Sequence, residues 1–157
     1  MKHDVIIVGH ALAGLSCALC LVDKNPSHNV ALVGPVPSFI TPKDKPGRQV
    51  ALNEASLFLL DNLGLLGALK AQDIEYYDRM RVWDSGSNAV IEFTAAEVAR
   101  ENLGAIVSVN ALLKEMSNRL GSCGNITFYP QQALACQKQA SGWKVKLSEE
   151  TFTSSKP

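Results

Sequence analysis

The sequence predicts an α/β fold in which a parallel sheet grows from an N-terminal strand–helix–strand unit. Residues 4–8 form a run that is β-branched from Val5 to Val8, which is typical of a strand covered on both faces. Residues 12–24 are rich in Ala, Leu and Cys and are soon followed by Pro26, which predicts a helix and its end. Residues 29–33 form a second apolar run. These three segments therefore predict one right-handed crossover between two parallel strands.

The rest of the chain predicts a small antiparallel part and a terminal β-hairpin. Four prolines between Gly34 and Gly47 indicate an extended loop. The elements predicted after this loop are a helix at about 53–62, strands at 80–84 and 89–94, a helix over 110–120, a strand at 126–129, and a hairpin formed by 133–139 and 143–148. We expect these elements to complete the α/β fold around the N-terminal parallel sheet.

Composition and charge narrow the classes of partner. Lys plus Arg and Asp plus Glu number 15 each, so the charge balance predicts neither nucleic acid nor an anionic membrane as a partner. The apolar run near the N-terminus is short and ends at Gly9, which disfavours a signal peptide. We expect a cytoplasmic protein, and a peripheral position at a membrane stays open as an alternative.

Two cysteines, Cys17 and Cys20, form a C-x-x-C pair inside the first predicted helix. The apolar residues around them favour small side chains packed against a sheet over a redox or metal-binding pair. We expect no metal site, since the chain shows no His, Cys and carboxylate cluster with ligand spacing.

The turn between the first strand and the first helix carries the strongest chemical signal. Its sequence is Gly9-His10-Ala11-Leu12-Ala13-Gly14. In the G-x-G-x-x-G fingerprint the first glycine permits a tight turn, the second admits a diphosphate, and the third allows close packing of helix and strand. The helix N-terminus then offers free N–H groups to the phosphates. These six residues are our candidate cofactor-binding residues of a Rossmann-like site, and glycines kept for packing alone are the alternative.

Two departures from the fingerprint weaken this site. Ala11 occupies the place of the second glycine, where its methyl group crowds the path of a diphosphate. The second strand ends at Val33-Gly34 without the carboxylate that normally binds the ribose hydroxyls. We interpret His10 as a turn residue without chemistry rather than as a catalytic base.

Four segments of the chain follow one another in the order seen in one family of enzymes. They are Asp4–Gly9, Arg48–Ser56 with the pattern R-x-x-A-x-N-x-A-S, Met80–Asp84, and Leu103–Val107. Through them the chain, from Asp4 to about Leu147, resembles the UbiH/VisC-type ubiquinone-biosynthesis hydroxylases, which are p-hydroxybenzoate-hydroxylase-like flavoprotein monooxygenases. The resemblance implies an FAD-dependent enzyme whose reduced flavin uses oxygen to hydroxylate an electron-rich ring.

The resemblance also implies partners and site residues. In the intact family enzyme the partners are an aromatic small-molecule substrate and NAD(P)H, and Arg48 lies near the phosphate or ribitol part of FAD. The alternative for Arg48 is a solvated loop arginine. We interpret Trp83 as a residue of core or sheet packing rather than as a stack for substrate. No catalytic side chain is implied, because the cofactor carries the chemistry.

The family pattern departs from this chain at four places. The family has G-G-G at residues 9–11, a Glu in place of Gly34, E-N where an ungapped alignment gives Ser108-Val109, and later A-D-G and G-D segments that would lie beyond Pro157. We therefore expect residues 1–150 to be an incomplete FAD-binding domain, with 74–100 a strand excursion belonging to the substrate-side sheet and 151–157 a disordered tail.

Two other functions remain open. The first is a shortened relative that keeps the fold, binds no flavin, and forms a homo-oligomer through an exposed sheet edge. The second is an NAD-binding domain of another oxidoreductase, against which the missing acid at Gly34 counts.

Overall fold

The computed structural model describes residues 2–36, 47–140 and 142–148. The chain divides into two compact units, the first made of residues 1–38 and 117–157 and the second of residues 39–116. In chain order the elements are β1 (Val5–Val8), α1 (Leu12–Lys24), β2 (Val30–Val33), β3 (Gln49–Asn53), α2 (Glu54–Asn62), β4 (Ile74–Tyr77), β5 (Arg79–Trp83), β6 (Val90–Thr94), β7 (Gly104–Ser108), α3 (Val109–Gly121), β8 (Ile126–Tyr129), β9 (Ala133–Gln139) and β10 (Gly142–Leu147).

The first unit contains a parallel sheet with the strand order β1-β2-β8. Val30 pairs with Val5 on one side and with Ile126 on the other. All four residues of β2 are buried, because this strand has a neighbour on each edge and the apolar face of α1 beside it. This parallel sheet, together with the antiparallel sheets described below, confirms the predicted α/β class.

The expectation that β1 is covered on both faces is wrong. Its first three residues are partly exposed, and Val8 is 57% exposed. The reason is its position, since β1 is an edge strand of the described sheet and pairs there with β2. An edge position leaves room for a further strand.

Helix α1 packs one face against this sheet. Its buried residues are Leu15, Ala18, Leu19 and Val22, which share one side of a helix with 3.6 residues per turn. Cys17 comes two positions after Leu15, or about 200° around the helix. It is exposed, so the predicted packing of both cysteines against the sheet is wrong for Cys17. Cys20 is half-buried.

The second unit contains an antiparallel sheet with the order β3-β7-β4. Val107, in the central strand, pairs with Val50 and with Ile74. The sequence did not predict these three strands, and β3 and β7 lie outside the predicted antiparallel region 74–100. Each strand has four or five residues that mix apolar with polar or small side chains, so it lacks the unbroken apolar run that marks β1 and β2. Their shared pairing stabilises them.

The predicted pair of strands at 80–84 and 89–94 is confirmed as the β5–β6 hairpin. Met80 pairs with Phe93 and Val82 with Ile91. Trp83 is 69% exposed, so its predicted role in sheet packing is wrong. Within the described residues β5 and β6 form a two-stranded sheet of their own, and every residue of β5 is exposed.

The predicted terminal hairpin is confirmed as the pair β9–β10. Gly142, which begins β10, has a φ of 136°, a value that L-residues with a side chain rarely adopt. Most of the predicted proline-rich loop and the whole predicted tail 151–157 lie outside the described residues. None of the helices in the described part of the chain is long and apolar enough to cross a membrane.

Shortening a side chain in the central strand tests this arrangement. Leu32 is fully buried in β2, so Leu32→Ala should lower the free energy of unfolding by about 2–5 kcal/mol. Leu134 in β9 is 57% exposed, and Leu134→Ala should cost less than about 0.5 kcal/mol. Urea denaturation measures both values, and equal losses would contradict the described burial.

Candidate functional site: the turn between β1 and α1

The turn lies where the sequence predicts it, between the end of β1 at Val8 and the start of α1 at Leu12. Gly9 has a φ of 121°, a conformation that glycine adopts without steric cost. Its N–H donates a 2.8 Å hydrogen bond to the Val33 carbonyl at the end of β2. The backbone conformation at residue 9 therefore favours the first glycine of the fingerprint.

Gly14 has the packing role of the third glycine. A Cβ atom built at this position would lie 1.9 Å from the Gly9 carbonyl oxygen, far inside van der Waals contact. Any side chain would push the first turn of α1 away from the end of β1. The close approach of helix and strand predicted from the glycine spacing is confirmed.

Ala11 is the N-cap residue of α1 and has an extended backbone, with φ −122° and ψ −173°. Alanine adopts this conformation readily, so the backbone does not require glycine at this place. Its carbonyl accepts the Leu15 N–H at 2.9 Å. Ala11 is exposed, so its methyl group is accessible at the surface of the turn.

The N-terminus of α1 carries N–H groups that no helical carbonyl can accept. They belong to Leu12, Ala13 and Gly14, the first residues of the helix. The Ala11 side chain makes no capping hydrogen bond, and the first turn contains no acidic residue. An anion in front of these groups would also meet the positive end of the helix dipole. The turn therefore fits the diphosphate part of a dinucleotide.

The end of β2 does not fit the ribose part of a dinucleotide in the usual way. Gly34 follows β2 with a φ of 145°. A Cβ atom built on Gly34 would lie 3.2 Å from the backbone nitrogen of His10. A glutamate at this position would be strained in its backbone and crowded by the turn. Position 34 therefore lacks the carboxylate, and its backbone conformation favours glycine.

His10 is a buried side chain in the middle of the turn, with 8% of its surface exposed. Its ring stacks on Phe128 of β8, with 5.6 Å between ring centroids and an interplanar angle of 24°. Burial lowers the pKa of His10 below its ordinary value of 6.5, and a hydrogen bond with the Gly34 backbone partly opposes this shift. Near neutral pH the ring is uncharged, so it adds no positive charge to a phosphate site.

This structural role of His10 goes beyond the sequence interpretation of a turn residue without chemistry. The sequence held one weak signal for it, a large ring placed between the small residues Gly9 and Ala11. Which strand end the ring packs against depends on the strand order, and the sequence did not predict that order.

Arg48 lies in the second unit, directly before β3. Its side chain is exposed, and its backbone carbonyl accepts the Val109 N–H at 2.9 Å. The structure thus brings residues 9–14 together in one turn of the first unit, while the contact of Arg48 with FAD stays a prediction.

Two surface cavities lie away from the turn. One, of about 720 Å³, belongs to the second unit and is lined in part by Phe58 and by the Glu54–Arg100 ion pair. The other, of about 680 Å³, belongs to the first unit and is lined in part by His3 and Trp143. Neither is lined by a residue of the turn, so the turn is marked by its hydrogen-bonding geometry and not by either cavity.

Comparison of the sequence with known proteins finds a ubiquinone-biosynthesis enzyme. The chain is 28% identical over 123 residues to the mitochondrial ubiquinone biosynthesis monooxygenase COQ6 of Xenopus tropicalis. The match covers 75% of this chain and 26% of that protein, so the chain spans about a quarter of the length of this relative. No protein-family model matches the chain.

Comparison with solved structures finds the fold of flavoprotein monooxygenases. One is p-nitrophenol 4-monooxygenase PnpA from Pseudomonas putida, with a TM-score of 0.62 and 15% identity over 92% of this chain and 38% of that one. Another is HpxO from Klebsiella pneumoniae, complexed with FAD and uric acid, with a TM-score of 0.59 and 18% identity over 92% of this chain and 35% of that one. The predicted resemblance to the UbiH-like hydroxylases, through their N-terminal part, is thereby confirmed.

The glycine at position 14 offers a direct test of the turn. Gly14→Ala should lower the free energy of unfolding by about 1–3 kcal/mol or more, because the new methyl group overlaps the Gly9 carbonyl. Gly124→Ala is the matched control, since a Cβ there meets nothing within 4 Å. Urea denaturation of both variants measures the difference, and a similar small loss in each would show that helix and strand are not in close contact.

The lowered pKa of His10 predicts a pH dependence of stability. In the unfolded chain the ring takes up a proton near pH 6.5, whereas the buried ring does so at a lower pH. The stability contributed by the neutral ring is present above pH 6.5 and is lost as the pH falls through the lower pKa of the folded state. The difference in unfolding free energy between the parent and His10→Gln should therefore shrink from pH 7.5 to pH 5. A constant difference across this range would argue against a buried, neutral ring.

Proposed function

We propose that the turn over residues 9–14 binds the diphosphate of FAD, and that the chain supplies the FAD-binding N-terminal part of an aromatic-ring monooxygenase of ubiquinone biosynthesis. The observation that carries this proposal is the open N-terminus of α1 behind a glycine turn at the end of a parallel strand. The sequence similarity to COQ6 supports the pathway, and the fold of the structural neighbours supports the cofactor.

Each candidate residue has a distinct role in this proposal. Gly9 shapes the turn, Gly14 brings α1 close to β1, and the N–H groups of Leu12, Ala13 and Gly14 bind the phosphate oxygens. Ala11 limits how closely the diphosphate approaches. In the intact enzyme Arg48 would approach the phosphate or ribitol part of FAD, as the family resemblance implies.

The bound flavin would supply the oxygen chemistry, and the chain would bind and orient it. We assign the β5–β6 region, within residues 74–100, to the substrate-side sheet. Its hairpin places Met80, Val82, Ile91 and Phe93 on one face, since directly paired residues share a face. An apolar face of this kind suits an aromatic small-molecule substrate, and NAD(P)H would be the reductant.

Homo-oligomerisation is a further part of the proposal. Among the described strands, β1 has one hydrogen-bonded neighbour and a second edge that can accept another strand. A second copy of the chain could pair there.

Two alternative functions are separated from this one by a titration with added FAD. A chain that binds FAD changes the visible spectrum of the added flavin, whereas an NAD-binding domain or a flavin-free relative leaves that spectrum unchanged. A colourless protein that binds NAD but not added FAD would favour the NAD-binding alternative, and one that binds neither would favour the flavin-free relative.

The methyl group of Ala11 provides the quantitative test. The parent chain should bind FAD weakly, with a dissociation constant above about 1 μM, because Ala11 crowds the diphosphate and Gly34 offers no ribose acceptor. Ala11→Gly should strengthen binding by up to about tenfold, while Ala11→Val should weaken it. Glycine is at least as good as alanine at an N-cap, so the helix should not be destabilised.

Calorimetric titration with FAD gives the three affinities, and thermal unfolding checks that each variant is folded. Sub-micromolar binding by the parent would contradict the expected weakness. Equal affinities across Gly, Ala and Val would show that the diphosphate does not approach position 11.

A further inference from the structure

His10 connects three strand ends that the phosphate-binding turn depends on. It follows Gly9 at the end of β1, its ring is hydrogen-bonded to the backbone of Gly34 after β2, and the ring stacks on Phe128 in β8. The contacts converge on a side chain that is 8% exposed. Because the three strands are parallel neighbours in the order β1-β2-β8, the ring lies beside the carboxyl ends of all three.

The backbone around His10 is arranged for close contact. Gly34 approaches the backbone nitrogen of His10 so closely that a Cβ atom on Gly34 would lie 3.2 Å from it. The Gly9 N–H donates to Val33 at 2.8 Å, and the Gly34 N–H donates to Tyr129 at 2.9 Å. These two amides continue the hydrogen bonding of the sheet at its carboxyl end, beside His10.

From this geometry we infer that His10 is a positioning residue of the dinucleotide site: its ring holds the turn of residues 9–14 against Gly34 and Phe128. This inference rests on the proposed function for its ligand, a dinucleotide bound through its diphosphate. The ring does not touch the phosphates as a charged group. It acts by holding Ala11 and the N-terminus of α1 in place, so that the free N–H groups are oriented before the ligand arrives.

His10 also lies beside the end of β2, where the ribose-binding acidic residue is absent. The usual carboxylate is absent at Gly34, and the backbone there, with φ 145°, favours glycine. The ring of His10 contacts this backbone directly. Recognition would then depend on the diphosphate, with His10 holding the turn that binds it.

Three variants of the full 157-residue chain test this inference. His10→Ala removes both the stacking and the hydrogen bond, whereas His10→Phe keeps a flat ring against Phe128 and loses the hydrogen bond. His3→Ala is the matched control, since His3 contacts the neighbouring β8 residue Tyr129 by a 2.9 Å hydrogen bond and an edge contact. His3 lies before β1 and outside the turn.

Amide hydrogen exchange at Gly9 and Gly34 is the main measurement, with the β9–β10 hairpin as the internal reference. In His10→Ala, exchange at these two amides should rise at least about tenfold relative to the hairpin, and FAD affinity should fall about tenfold. His10→Phe should recover thermal stability but not the protection of Gly34. His3→Ala should leave the ratio between turn and hairpin unchanged.

The outcomes separate this inference from the proposed function. If His10→Ala accelerates exchange equally in the turn and the hairpin, or leaves both unchanged, His10 is not a positioning residue, even where the parent binds FAD. If the parent binds no FAD but His10→Ala selectively loosens Gly9 and Gly34, the proposed ligand is wrong and the role of His10 in holding the turn stands.

Discussion

The contact between Gly14 and the carbonyl of Gly9 is the constraint on which the candidate site depends. It lets the first turn of α1 lie directly against the end of β1, at a distance that no side chain would permit. Because the helix starts so close to the strand, its free N–H groups lie just beyond the carboxyl end of the sheet. The buried face of α1, from Leu15 to Val22, then continues this contact along the sheet.

The central strand of the parallel sheet is β2, and hydrogen bonds join its end to the ends of β1 and β8. Its four residues are buried, and hydrogen bonds beyond its end join Gly9 to Val33 and Gly34 to Tyr129. His10 adds a packed ring between the same strand ends. The site is therefore stabilised by the sheet behind it, which is how a loop of glycine and alanine can be held in one conformation.

Much of the fold could be predicted from local pattern. The buried strand β2, helix α1 and the β5–β6 hairpin follow from apolar runs, from helical spacing and from a turn rich in Ser and Gly. The strands β3, β4 and β7 were missed, since each is stabilised by the pairing of residues such as Val50 and Val107 that are far apart in the chain. Pairing over such distances leaves little trace in a local window.

The sequence by itself determined the position and backbone geometry of the candidate site. A strand, the glycine spacing from Gly9 to Gly14, and a helix suffice to predict a turn with free N–H groups, because these are properties of the local backbone. Tertiary structure decided what surrounds that turn. The exposure of Trp83, the glycine-favouring backbone conformation of Gly34, and the stacking of His10 on Phe128 all depend on which strands lie side by side. That order arises from the packing of segments distant in the chain, and local sequence does not encode it.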